Sequence, residues 1–126
     1  MKVLSIIETA YRATLEEQDD TIIWLSHALK GAGADLDVLL QGNAVNYVVE
    51  SQDASGLKIG NCPQTQPPRL PEDVKGLISK GCKIMVVSED LQERGITSDA
   101  AINGIRFVHR TELAACLDQY QQVWHW

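Results

Sequence analysis

The chain has 126 residues, 44% of them hydrophobic and 22% charged, with a formal net charge of −6. That length fits one domain with a real core, over 1–126, and the composition is too apolar for a disordered chain. The acidic balance, with scattered Lys and Arg and no aromatic residues between them, argues against nucleic acid as a partner, because phosphate contacts need clustered cations.

The first segment, Val3-Leu4-Ser5-Ile6-Ile7, is apolar and rich in β-branched residues, and it is expected to form a buried strand. Its apolar run is too short for a membrane span or a signal peptide, so a cytoplasmic protein without a membrane partner is expected. A helix is predicted over 17–32. Ile22, Leu25 and Leu29 define its apolar face with Ala28 beside them, Asp19 and Asp20 sit in its first turns, and Gly31 and Gly33 stop it. The stretch Asp35–Leu40 is a second predicted strand, followed by a loop and a helical turn over 42–48. The polar stretch 51–70, with its glycines and prolines, is the longest irregular segment and a natural place for function.

Pro71, Glu72 and Asp73 favour the start of a helix that ends at Gly81. A third strand is predicted over 82–87, with Ser88 capping the short helix after it and Gly95 ending that helix. A helical turn is expected over 100–103 and a fourth strand over 105–108. A helix capped by Thr111 follows, and then a short terminal strand that carries Trp124 and Trp126 on one face. Those two rings either cover the sheet edge or pack on a neighbouring subunit. The alternation of strands and helices predicts a three-layer α/β/α domain with a mostly parallel sheet.

Certain runs resemble the DsrE/DsrF/DsrH-like family of sulfur-relay proteins. The clearest is Gly81-Cys82-Lys83-Ile84-Met85-Val86-Val87-Ser88-Glu89-Asp90-Leu91-Gln92-Glu93-Arg94-Gly95-Ile96. Gly42-Asn43-Ala44-Val45, Gly104-Ile105-Arg106-Phe107-Val108 and the aromatic tail Gln122-Val123-Trp124-His125-Trp126 add to it. The resemblance covers nearly the whole chain. It implies a DsrE-like doubly wound subunit that assembles as a homotrimer or homohexamer, with sulfur-donor and sulfur-acceptor proteins as partners. Members of the TusBCD type carry sulfane sulfur as a cysteine persulfide. Their acceptor cysteine falls at Val87 or Ser88 in this chain, where no cysteine stands.

A sulfur carrier needs an accessible, ionisable thiol. The three cysteines show neither a disulfide framework nor a zinc spacing. Cys82 and Cys116 have the settings of core residues, whereas Cys62, between Asn61 and Pro63 in the long loop, is the candidate nucleophile. Sulfur carriage through Cys62 is one expected function. The alternative is a non-catalytic subunit that forms an oligomer or binds a small ligand. Ala10, Asn43, Ser88 and Glu89 are the candidate binding residues, since doubly wound sheets place ligands at the carboxyl ends of their strands. Glu8 and Glu89 could share acid–base work if they are close. His27, expected as a solvated or flanking histidine, His109 and His125 have no ligand spacing, so neither a metal nor a cofactor is expected. The loop 9–15 lacks the glycines of a dinucleotide or flavin phosphate loop, and the end of the second strand lacks the acidic cluster of a response regulator.

Overall fold

Continuous apolar runs bounded by glycine or polar residues become the strands of one central sheet. The computed structural model describes residues 1–12 and 20–126. β1 (Lys2–Ile7) leads to α1 (Thr21–Gly31), β2 (Asp35–Leu40) and a 3-10 segment (Gly42–Val48). A small hairpin, β3 (Lys58–Ile59) and β4 (Cys62–Pro63), precedes α2 (Leu70–Ser79), β5 (Ile84–Val87) and α3 (Ser88–Glu93). Then come a 3-10 turn (Ser98–Ala100), β6 (Arg106–Val108), a second 3-10 turn (Arg110–Glu112), α4 (Leu113–Leu117) and β7 (Gln122–His125).

The five-stranded sheet has the order β6-β5-β2-β1-β7, and every pairing in it is parallel. Side-chain alternation sorts the apolar residues to two faces. Ile7, Val38, Leu40, Ile84 and Val86 pack with Ile22 and Ile23 of α1, Val74 and Leu77 of α2 and Leu91 of α3. Leu4, Ile6, Leu39, Met85, Val87 and Val108 pack with Cys116 of α4 and with Tyr120. Three layers result, as the strand–helix alternation predicts.

Several boundaries differ from the sequence expectation. Asp20 is not a first-turn acid but the N-cap of α1: its carboxylate accepts the Ile22 and Ile23 N–H groups at 2.9 and 3.1 Å. The expected helix start over 17–19 lies outside the described residues. The buried face of α1 is Ile22, Ile23 and Ser26, with Leu25 and Leu29 half-buried on its flank and Ala28 exposed. The face is rotated because α1 meets α2 on one side and the terminal strand on the other. Gly33, at φ +91°, makes the left-handed stop, and Ala34 N–H reaches back to the Leu29 carbonyl at 3.0 Å.

β5 starts at Ile84 rather than at Cys82, because Cys82 N–H is spent on the Leu77 carbonyl closing α2. Ser88 does not cap α3. The strand runs directly into the helix, Val87 takes the cap position and no side-chain hydrogen bond is made there. The turn expected over 100–103 falls at Ser98–Ala100, and β6 starts at Arg106 rather than at 105. Thr111 caps nothing. His109 holds that position, and its N–H is received by the Glu112 carboxylate at 2.7 Å. The stretch 51–70 is not wholly irregular, since it contains the hairpin.

Candidate functional site

In a doubly wound sheet, ligands bind beyond the carboxyl ends of adjacent strands whose connections leave to opposite faces. Here β5 leaves into α3, whose Leu91 packs on one face, and β6 leaves toward α4, whose Cys116 packs on the other. The switch point therefore lies between β5 and β6, with Ser88, Glu89 and Asp90 on one side and His109 and Arg110 on the other.

These groups are tied together. Glu89 accepts the Arg110 N–H at 2.8 Å on one oxygen and faces His109 Nδ1 at 3.0 Å on the other. The Arg110 N–H, then His109, hold the Glu89 carboxyl below its ordinary range. Asp90 is nearly buried, accepts the Gly42 N–H at 2.7 Å and pairs with the Arg110 guanidinium. Burial is the largest single influence on Asp90 and pushes it up. The Gly42 N–H and the two arginines, Arg110 and Arg94, together outweigh it, so the net direction is down. Arg110 also reaches Glu93 at 2.8 Å. Arg94 donates to the Asn43 side-chain oxygen at 2.8 and 3.2 Å and to the Asp90 carbonyl at 3.0 Å.

The other end of the same edge holds a second carboxylate–imidazole contact, Glu8 to His125 Nε2 at 2.7 Å. Gly42, at φ +56°, lets the backbone pass here, since a Cβ would stand 3.0 Å from Glu8 Cγ. Glu8 and Glu89 thus do not form a shared acid–base pair. They lie at the ends of β1 and β5, with β2 between them, and each holds a different histidine. His109 lies at the surface, its Nδ1 held by the Glu89 carboxylate.

Of the predicted binding residues, Asn43 and Glu89 join this edge network, Ser88 adjoins it, and Ala10 is half-buried against the core beyond β1. Asp90, Arg94, His109, Arg110 and His125 were not singled out as binding residues. The available signal was position: Asp90, His109 and Arg110 lie within three residues of a strand end, whereas Arg94 follows α3 and His125 ends the terminal strand. His27 is not solvated but packs between helices, with Nε2 2.7 Å from the Asp73 carbonyl.

The thiols divide sharply. Cys82 and Cys116 are buried in the two cores. Burial, reinforced by the Asp37 charge, pushes the Cys82 thiol up to about 12. Cys116 Sγ lies 3.5 Å from Met85 Sδ. Cys62 is exposed on β4, paired across the hairpin with Ile59. No bond described for Cys62 ties it to Ser88 or Glu89. Among the described residues, no cluster of His, Cys, Asp and Glu is arranged to hold a metal ion, and no helix is long and apolar enough to cross a membrane.

The sheet order and the two-sided packing define a three-layer α/β/α domain built on a parallel sheet. The fold is similar over its full length to the crystal structure of the ychN protein from E. coli, with TM-score 0.71, 17% identity and 100% of each chain covered. It is also similar to MTH1491 from Methanobacterium thermoautotrophicum, a protein of unknown function, with TM-score 0.60, 14% identity and 96% of each chain covered. No protein-family model matches the sequence. No curated protein matches it either.

Proposed function

We propose that the protein carries sulfane sulfur as a persulfide on Cys62, receiving it from a donor protein and passing it to an acceptor in a cytoplasmic relay, as a homotrimer or homohexamer. The observation that supports this reading is accessibility: Cys62 stands in solvent on a hairpin, while Cys82 and Cys116 are closed into the cores. The DsrE-like fold is consistent with it. In the transfer, the Cys62 thiolate attacks the outer sulfur of a donor persulfide. The donor's S–S bond breaks, its thiolate leaves and a new S–S bond forms on Cys62, so no external oxidant enters.

One observation favours a second reading, a non-catalytic subunit that forms an oligomer or binds a small ligand. The carboxyl end of β5 presents Val87 and Ser88 rather than a thiol, and the neighbouring Glu89 and Asp90 are committed to bonds within the protein.

Intact-mass spectrometry of the reduced protein after exposure to a persulfide donor separates the two, with Cys62→Ser in parallel. A gain of one sulfur that a thiol reductant reverses, absent in Cys62→Ser, is expected. A gain that survives the substitution moves the chemistry to another cysteine. No gain in the folded protein leaves the second reading.

A further inference from the structure

A cleft of about 520 Å³ opens beside α3, with neither Asn43 nor Glu8 among its lining residues. That volume falls within the range of roughly 300–1,000 Å³ of small-ligand sites. Leu91, Ile96 and Phe107 supply its apolar surface. Phe107 is the only phenylalanine of the chain and is 39% exposed on the edge strand β6. Ser88, Gln92, Thr97 and Ser98 supply the polar rim. Their hydroxyl and amide groups make no hydrogen bond to the rest of the protein among the described residues, so they remain available.

The charged groups at this edge are spent elsewhere. Glu89 is held by His109 and the Arg110 N–H, Asp90 and Glu93 by Arg110, and Arg94 by Asn43. None of them lines the cleft. The site therefore has a ring to stack on, aliphatic walls and neutral donors and acceptors, and it offers no counter-charge. Location agrees with chemistry, since Ser88 opens the carboxyl end of β5 at the switch point with β6.

We infer that this cleft binds an uncharged heteroaromatic ring compound of nucleoside size, stacked on Phe107 and hydrogen-bonded at its rim by Ser88, Gln92, Thr97 and Ser98. The site is independent of Cys62, which is not among its lining residues, so it stands or falls apart from sulfur carriage.

The test is a backbone-amide NMR titration with adenosine as the neutral probe and AMP as its charged counterpart, each to millimolar concentration. Expected are saturable adenosine shifts confined to 88–98 and to Phe107 with its neighbours, and no tighter binding of AMP. Phe107→Ala weakens adenosine about tenfold, the loss of one stacking contact, while Phe107→Tyr retains it. Thr97→Val weakens it as well, by removing one rim hydroxyl with little change of shape. The unperturbed remainder of each variant's spectrum shows that its fold is kept. The assignment is overturned by an absence of saturable shifts, by shifts centred elsewhere, by undiminished binding in Phe107→Ala, or by AMP binding tenfold tighter than adenosine.

Discussion

At the scale of single residues, the carboxyl edge is held by side chains whose protonation is coupled to folding. Asp90 shows this best. It is nearly buried, yet the Gly42 N–H at 2.7 Å and the Arg110 guanidinium keep its carboxyl below the ordinary range against the pull of burial. A carboxyl depressed in the folded state adds stability above its unfolded pKa of about 3.9, and that stability is lost as pH falls through the folded value. Urea midpoints are therefore expected to drop as pH is lowered below about 4. Asp90→Asn should be less stable at neutral pH and should show a flatter acid limb. An unchanged acid limb in Asp90→Asn would remove Asp90 from this role. Little of this was visible beforehand. Glu89 and Asp90 were recognisable as first-turn acids, but the groups that hold them, Gly42 and Arg110, are 48 and 20 residues from Asp90 along the chain.

Elements lock together through contacts of the same long range. α1 and α2 meet where Gly76 leaves room for the His27 ring, whose Nε2–H donates to the Asp73 carbonyl at 2.7 Å. A Cβ at Gly76 would stand 2.9 Å from His27 Cε1. Alanine gains about 1 kcal/mol in helix propensity over glycine. Displacing the ring forfeits about 1 kcal/mol of hydrogen bond, and forcing the contact costs about 1–3 kcal/mol more. The losses outweigh the gain, so Gly76→Ala should lose about 1–3 kcal/mol in urea denaturation. The sign should reverse when His27→Ala is added, because the obstruction is then gone. A stabilised single variant would show that the ring moves aside freely. The rotation of α1's buried face belongs to this scale too. The 3.6-residue period marks a helix, but with Ile22, Ile23, Leu25 and Leu29 all apolar, only the neighbouring elements decide which of them are covered.

For the whole molecule, the terminal strand leaves an apolar surface to be accounted for. Trp124 and Trp126 do turn to one side of β7, where they line a shallow groove with Leu25 and Leu29 of α1. Trp126 closes the end of the sheet, its indole N–H on Ser5 Oγ at 3.0 Å and its carbonyl on the Glu8 N–H at 3.0 Å. Trp24, beside Leu25 in the sequence of α1, remains 61% exposed, and Val123, which turns to the other side of β7, 43%. Exposed apolar patches of this kind mark contact surfaces. The proposed assembly should appear in light scattering at micromolar concentration as three or six times the subunit mass. A stable monomer would refute it.

The sequence by itself determined the class of fold. Its apolar runs are as short as strands, they alternate with helix-length amphipathic segments, and glycines stand at the stops, so the local periods leave little but a layered α/β domain. It also marked Cys62 as the exposed thiol, because the flanking Gly, Asn and Pro make a surface turn. Tertiary structure decided the rest. It placed β7 beside β1, put the switch point between β5 and β6, gave Glu8 and Glu89 separate histidines, and opened a neutral cleft beside Phe107. Each of these depends on which strand ends become neighbours. That follows from burying both faces of the sheet at once, a condition on the whole chain that no local pattern carries.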